Sequence, residues 1–268
     1  MGVILNNIMP WYLYVAIIGA GFVAGFINIL AGSGSLVTLP LLIFIGLPAT
    51  VANGTNRVGV LLQNIVGVSS FKHSKVLDIR GVLILSIPSI IGSVIGAQIA
   101  TSINEALMRR TIGVIMVIML FVILLQPKRW LEGELDNLGK HPSWLQIMLF
   151  FAIGIYGGFI QAGVGIFYLS ALVLGIGYNL VRGNAVKTGI ILFQTMAALL
   201  VFIFHGQVNW VIGLILSLGY MFGAWIAAKF AISWGAVWVQ RVLIAIVVIS
   251  AADLLGIIEL MKRLILSL

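Results

Sequence analysis

Two glycine-rich breaks hold the first candidates for chemistry. Residues 31–34 read Ala-Gly-Ser-Gly and run into Ser35, and residues 162–165 read Ala-Gly-Val-Gly and run into Ile166. Both interrupt apolar stretches. A helix that restarts after such a break turns its free N–H groups and the positive end of its dipole toward whatever precedes it, and that end attracts anions. The first set of candidate substrate-binding residues is therefore Gly32, Ser33, Gly34 and Ser35, with Gly163, Val164 and Gly165 opposite them. The serines would add hydroxyl donors on one side only. This asymmetry favours one off-axis ligand over two equivalent ones. The competing explanation is that small residues merely let helices approach closely.

A second matched pair follows. Residues 52–57 read Ala-Asn-Gly-Thr-Asn-Arg, and residues 183–188 read Gly-Asn-Ala-Val-Lys-Thr. Asn53 and Asn184 are expected to cap the helices that follow. Arg57 and Lys187 would then lie in first helical turns, where a cation opposes the helix dipole. A bound anion would relieve that conflict, with Asn53, Gly54, Thr55, Asn56, Arg57, Asn184 and Lys187 around it. Capping alone, or snorkelling of the two cations to headgroups, would account for the same residues. Gln63, Asn64 and Gln194 come further along, as uncharged donors that either line a pathway or bridge helices.

The elements that must position these groups are membrane helices. Of 268 residues, 62% are hydrophobic and 8% are charged, where soluble domains carry about 25% charged residues. Mean hydropathy is +1.20. Spanning segments must pair their backbone groups internally, as helices or closed barrels. The apolar runs are continuous rather than alternating, so the fold class is an all-α polytopic membrane protein. Trp11–Leu30 reads as a retained first helix rather than a cleaved leader.

Apolar runs fall at 11–31, 35–47, 58–71, 81–100 and 108–126, then at 144–163, 166–177, 188–204, 210–231 and 236–258. The expected organisation is a first transmembrane repeat over 1–126, a cytoplasmic linker over 127–143 and a second repeat over 144–268. The halves align at an offset of 131 residues, pairing Asn53 with Asn184, Gln63 with Gln194 and Gly92 with Gly223. Such duplication marks many transporter folds. Five crossings per half would make the repeats inverted. With the linker inside, ten basic residues lie on its side and five on the other, in line with that arrangement. The 35–47 and 166–177 runs are shorter than the ~20 residues of a full span. They are either short crossings or re-entrant half-helices near the midplane.

Several functions are set aside. The net charge of +8 reads as loop topology rather than nucleic-acid binding, because no basic run carries interleaved aromatics. The chain has no cysteine, and His73, His141 and His205 lack metal-ligand spacing, so neither a metal nor another cofactor is expected. The membrane region has few acids or histidines, so the chain is not read as an enzyme. Asp253 is an acid inside an apolar run and a candidate proton relay, but its match in the first half is Val122. A secondary transporter for small anions and an anion channel with the same lining both fit. A homodimer is left open.

The run "GFINILAGSGSLVTLPLLIFIGLPATVANGTNRVGVLLQN" resembles the signature of the sulfite exporter TauE/SafE family, and "GFIQAGVGIFYLSALVLGIGYNLVRGNAVKT" is similar to its second-half counterpart. The resemblance implies transport of sulfite, sulfonates or related organosulfur anions across the bacterial cytoplasmic membrane. It places Gly32 to Ser35, Asn53 to Arg57, Gly163, Asn184 and Lys187 in the substrate region. A singly charged anion or a coupled cation, such as a proton, would limit the dehydration cost.

Overall fold

A computed structural model describes residues 10–125 and 142–230. The linker, Asp253 and the run at 236–258 lie outside the described residues. The described chain is helical: α1 (Trp11–Ala31), α2 (Ser35–Phe44), α3 (Ala49–His73), α4 (Ile79–Ser102), α5 (Glu105–Leu125), α6 (Trp144–Phe159), α7 (Val164–Ser170), α8 (Leu180–Phe204) and α9 (Trp210–Phe230). A π-helical stretch over Ala171–Ile176 continues α7. Among the described residues, α1, α4, α5, α8 and α9 are long and apolar enough to cross a membrane. The chain is a multi-pass membrane protein.

Helix α4 shows how lipid and protein divide one helix. Leu83, Ile87, Ile91, Ile95 and Ile99 recur every four residues and are exposed, forming a stripe suited to acyl chains. Ser86, Ser89 and Ser93 are buried on the inner side. That inner side is small because another backbone lies against it. A methyl group at Gly92 would sit 2.2 Å from the Phe151 carbonyl oxygen, and one at Gly96 would sit 1.9 Å from that of Ile155. So α4 and α6 pack tightly and run in the same direction. Helices α1 and α9 do likewise: Gly21 meets Leu216, and Gly25 meets Tyr220. Without a hydrophobic drive between helices in lipid, such close packing supplies the association energy. Helix α3 runs antiparallel to α8, since Gly54 lies at Phe202 and Gly67 at Thr188.

The chain reverses at both breaks. Gly32 and Gly163 adopt left-handed φ values of 74° and 72°, a region that disfavours any residue with a Cβ. After Gly32 the chain turns back, and Gly34 rests against Ala24 and Asn28 of α1. In the second half, Gln146 at the start of α6 donates to the Gly175 carbonyl at 2.6 Å. So the short segments are the returning arms of helical hairpins.

Two expected helix starts move. Asn53 and Asn184 lie inside helices, not at their N-caps. Helix α3 begins after Pro48, and α8 begins after Asn179, whose side chain accepts from the Arg182 amide at 2.9 Å. Arg57 and Lys187 are thus about two turns inside their helices, beyond the reach of the first-turn dipole. Asp78 and Asn209 do cap α4 and α9, accepting from Gly81 N at 3.0 Å and Ile212 N at 3.1 Å. Trp11, Trp144 and Trp210 are exposed at the starts of α1, α6 and α9, as interfacial anchors require.

Candidate functional site

The two breaks meet. The Gly165 amide donates to the Gly32 carbonyl at 3.0 Å. A Cβ on Gly165 would stand 2.4 Å from the Gly32 Cα, and one on Gly32 would stand 2.5 Å from the Gly165 Cα. No other residue permits this approach. Ser33, Ser35, Val164 and Ile166 around the junction are all buried.

Each break ends a helix and leaves C-terminal carbonyls without helical partners. In a membrane interior such groups cost several kcal/mol each unless something donates to them. The donors come from the opposite half. Arg57 of α3 donates through Nη1 to the Gly157 carbonyl at 3.1 Å and through Nη2 to the Gly158 carbonyl at 2.6 Å. Asn53, one turn earlier, donates to the Phe159 carbonyl at 2.7 Å. The last three carbonyls of α6 are therefore held by one turn of α3. Lys187 of α8 donates to the Ile29 carbonyl in the last turn of α1 and to that of Asn28, which also accepts from the Gly32 amide at 2.9 Å, each Lys187 contact being 3.2 Å. It also donates to Asn184 Oδ1 at 2.7 Å. The Arg57 guanidinium lies 4.7 Å from the centroid of the Phe202 ring, a cation–π contact.

The conflict foreseen at Arg57 and Lys187 does not arise, because both lie beyond the first turns of α3 and α8, and helix C-termini meet the two cations. The compensation is incomplete. Each C-terminus carries about −0.5 charge, so the pair offsets roughly one of the two buried positive charges. The acids among the described residues are Asp78 and Glu105, and both cap helix starts elsewhere. Glu105 accepts from Ala49 N at 2.6 Å and Thr50 N at 3.3 Å. Among the described residues no acid reaches the centre, which leaves the two cations only partly offset.

Three buried donors beside the breaks have no partner among the described residues: Ser33 Oγ, Arg57 Nε and Gln194 Nε2. Gln194 and Arg57 converge, since a Cβ on Gly157 would lie 2.1 Å from Gln194 Nε2 and Arg57 holds the Gly157 carbonyl. Gln194 accepts a short hydrogen bond from the Tyr168 hydroxyl through its other amide atom. Unpaired buried donors are uncommon and mark a place where a ligand or water belongs.

A neutral cluster flanks the junction on α2, α3 and α9. Asn56 Nδ2 donates to Ser35 Oγ at 2.9 Å, while Asn56 Oδ1 accepts from Thr38 at 2.6 Å and from Tyr220 at 3.0 Å. Gln63 accepts from Asn28 Nδ2 at 3.2 Å. Not every expected site residue reaches the breaks. Gly54 packs on the Gln207 carbonyl, and Thr55 accepts from the Asn209 amide at 2.9 Å, on the α8–α9 connection. Asn64 turns to its own helix, donating to Val60 O at 2.8 Å.

Five participants escaped the sequence reading: Asn28, Gln161, Thr38, Tyr168 and Tyr220. A signal existed for the first two. "GFIN" at 25–28 repeats as "GFIQ" at 158–161, two residues out of step with the offset used elsewhere. Gln161 Nε2 donates to Thr195 at 2.5 Å, as Asn28 donates to Gln63 in the first half. Thr38 and Tyr220 carry no repeat signal, since they face Leu169 and Ser89 at the common offset.

Comparison with known proteins follows the same outline. A probable membrane transporter protein of Sinorhizobium, ORF9, is 25% identical over 92% of this chain and 94% of its own length. One from Haemophilus influenzae is 27% identical over 80% of this chain and 84% of its own. The probable membrane transporter YfcA of Escherichia coli K12 is 25% identical, covering 87% and 86%. No solved structure matches the chain. The profile described as sulfite exporter TauE/SafE matches residues 17–254, and the chain belongs to that family.

Proposed function

We propose that this protein is a secondary transporter that moves small sulfur-containing anions, such as sulfite or sulfonates, across the cytoplasmic membrane by alternating access. The observation that carries the proposal is the pair of buried cations, Arg57 and Lys187, at touching helix breaks, with neutral oxygens as partners. An oxyanion carrying about one negative charge would complete the electrostatics. Ser33 Oγ, Arg57 Nε and Gln194 Nε2 are donors ready for its oxygens. The α2 N-terminus beside Ser33 adds partial positive charge.

The two halves act as oppositely oriented units in this account. Support comes from the packing: α1 runs with α9, α6 runs with α4, and α3 runs against α8. Exchanging halves reproduces the same set of contacts, as expected for an inverted repeat. Because each cation reaches across to the other half, relative movement of the halves would alter both sides of the site together.

A thermal-shift screen of the purified protein tests the substrate class. Sulfite, thiosulfate, sulfoacetate, taurine and simple carboxylates are compared. A ligand that binds the folded state raises its apparent stability. At least one sulfur oxyanion should raise the midpoint above the matched carboxylates. Equal responses to all of them would remove sulfur selectivity from the proposal.

A further inference from the structure

The two cation sites share one construction. Lys187 Nζ sits among the carbonyl oxygens of Asn28 and Ile29, at 3.2 Å each, and Oδ1 of Asn184, at 2.7 Å. The Arg57 guanidinium sits among the carbonyl oxygens of Gly157 and Gly158, at 3.1 and 2.6 Å, and Oδ1 of Asn53, at 3.5 Å. Each cage is two successive carbonyls from the last turn of a broken helix, plus the amide oxygen of an asparagine one turn before the cation. The oxygens are neutral and lie at the negative end of a helix dipole. Neutral oxygen cages at interrupted helix C-termini are the donor sets that hold free monovalent cations in transport proteins. Divalent ions would call for carboxylates, and among the described residues neither cage contains one.

We infer that these cages are monovalent-cation sites filled by the chain's own side chains, and that the protein needs no sodium or potassium ion to assemble its core. The tethered cations take the structural place of bound ions without leaving. They lock the carbonyls of one half to a helix of the other and keep positive charge beside the breaks throughout. The consequence for transport, an anion movement independent of sodium, rests on the anion-transporter proposal. The sites themselves do not.

The sites can therefore be tested without any anion substrate. Lys187→Ala empties one cage and Arg57→Ala the other. The full-length purified chain is melted in choline chloride, with increasing sodium, potassium, ammonium, methylammonium or guanidinium chloride in separate series. Lys187→Ala should gain about 5 °C or more, saturably, with ammonium or methylammonium, and Arg57→Ala with guanidinium below denaturing concentrations. Wild type should not respond to replacement of choline by sodium or potassium. Three results would overturn the inference: stabilisation of wild type by sodium or potassium, folded variants indifferent to every small cation, or both variants failing to fold even in their rescue ions. Absence of anion transport by wild type, with cation rescue of the two variants intact, would sink the transporter proposal and leave the cages standing.

Discussion

Gly32 and Gly165 touch backbone to backbone, joined by the 3.0 Å bond from the Gly165 amide to the Gly32 carbonyl. The contact brings the end of α1 against the start of α7, so the two interrupted hairpins form one object. Gly165→Ala would force a methyl group to 2.4 Å from the Gly32 Cα, a clash with backbone that no rotamer relieves. Gly32→Ala adds a left-handed residue costing about 1–3 kcal/mol. Both variants should insert and purify in lower yield, with transport below a tenth of wild type. Transport at wild-type rates by Gly165→Ala would show that the breaks need not touch.

Ser33→Ala separates function from stability. Ser33 Oγ is buried with no hydrogen-bond partner, so its removal takes nothing from the folded protein. Thermal stability should be unchanged or slightly higher. Anion affinity should fall about ten- to hundredfold, the worth of one donor to a charged ligand. Unchanged affinity would place the ligand away from α2.

Arg57→Lys keeps the charge and loses the fork. A lysine ammonium is a point charge and lacks the planar Nη1–Nη2 fork that spans the Gly157 and Gly158 carbonyls. Transport should fall more than tenfold in Arg57→Lys, measured at equal amounts of folded protein. Full activity in this variant would reduce the role of Arg57 to charge alone.

Asp78 provides a pH-dependent tie between the halves at the membrane surface. It accepts from the Tyr178 hydroxyl at 2.6 Å. Partial burial would raise its pKa, but hydrogen bonds from Gly81, Tyr178 and Arg80 and the nearby Arg182 charge outweigh this and hold it below the ordinary carboxylate value. A carboxylate depressed by folding stabilises the protein above its unfolded pKa, about 3.9, and loses that contribution as pH falls through the lower folded value. Asp78→Asn should therefore melt below wild type at neutral pH, with the gap closing in strong acid. A gap that is constant with pH would remove the charge from the explanation.

Much of the site could be read from residue order, and the errors have physical causes. The breaks, the two cations and their duplicated setting all stand in the sequence, because a Gly-x-Gly run repeated at matched positions and a charge inside an apolar run are rare enough to stand out. The starts of α3 and α8 did not. Ala-Asn-Gly-Thr-Asn-Arg looks like a connection because its side chains favour caps and turns. It is helix interior because Asn53 and Arg57 spend their donors on α6 carbonyls rather than on their own backbone. Tertiary partners overrode local preference. The same partners explain why Arg57 and Lys187 seemed to require an anion. Carbonyls contributed by the other half are invisible in a linear reading.

Orientation of the halves is open to direct labelling. The chain has no cysteine, so single cysteines report cleanly. Ser74 and His205 are both exposed, just after the C-terminal ends of α3 and α8. Ser74→Cys and His205→Cys should react with an impermeant thiol reagent from opposite faces of the membrane. Labelling of both from one face would contradict oppositely oriented halves.

Counterflow in liposomes tests the central claim most directly. Vesicles loaded with unlabelled sulfite or a small sulfonate are diluted into a trace of the labelled anion. Wild type should accumulate label transiently and saturably, and Arg57→Gln and Lys187→Gln, reconstituted in equal amounts, should not. Absence of exchange for every sulfur oxyanion tried, or counterflow undiminished in both variants, would contradict an anion site built on the two buried cations.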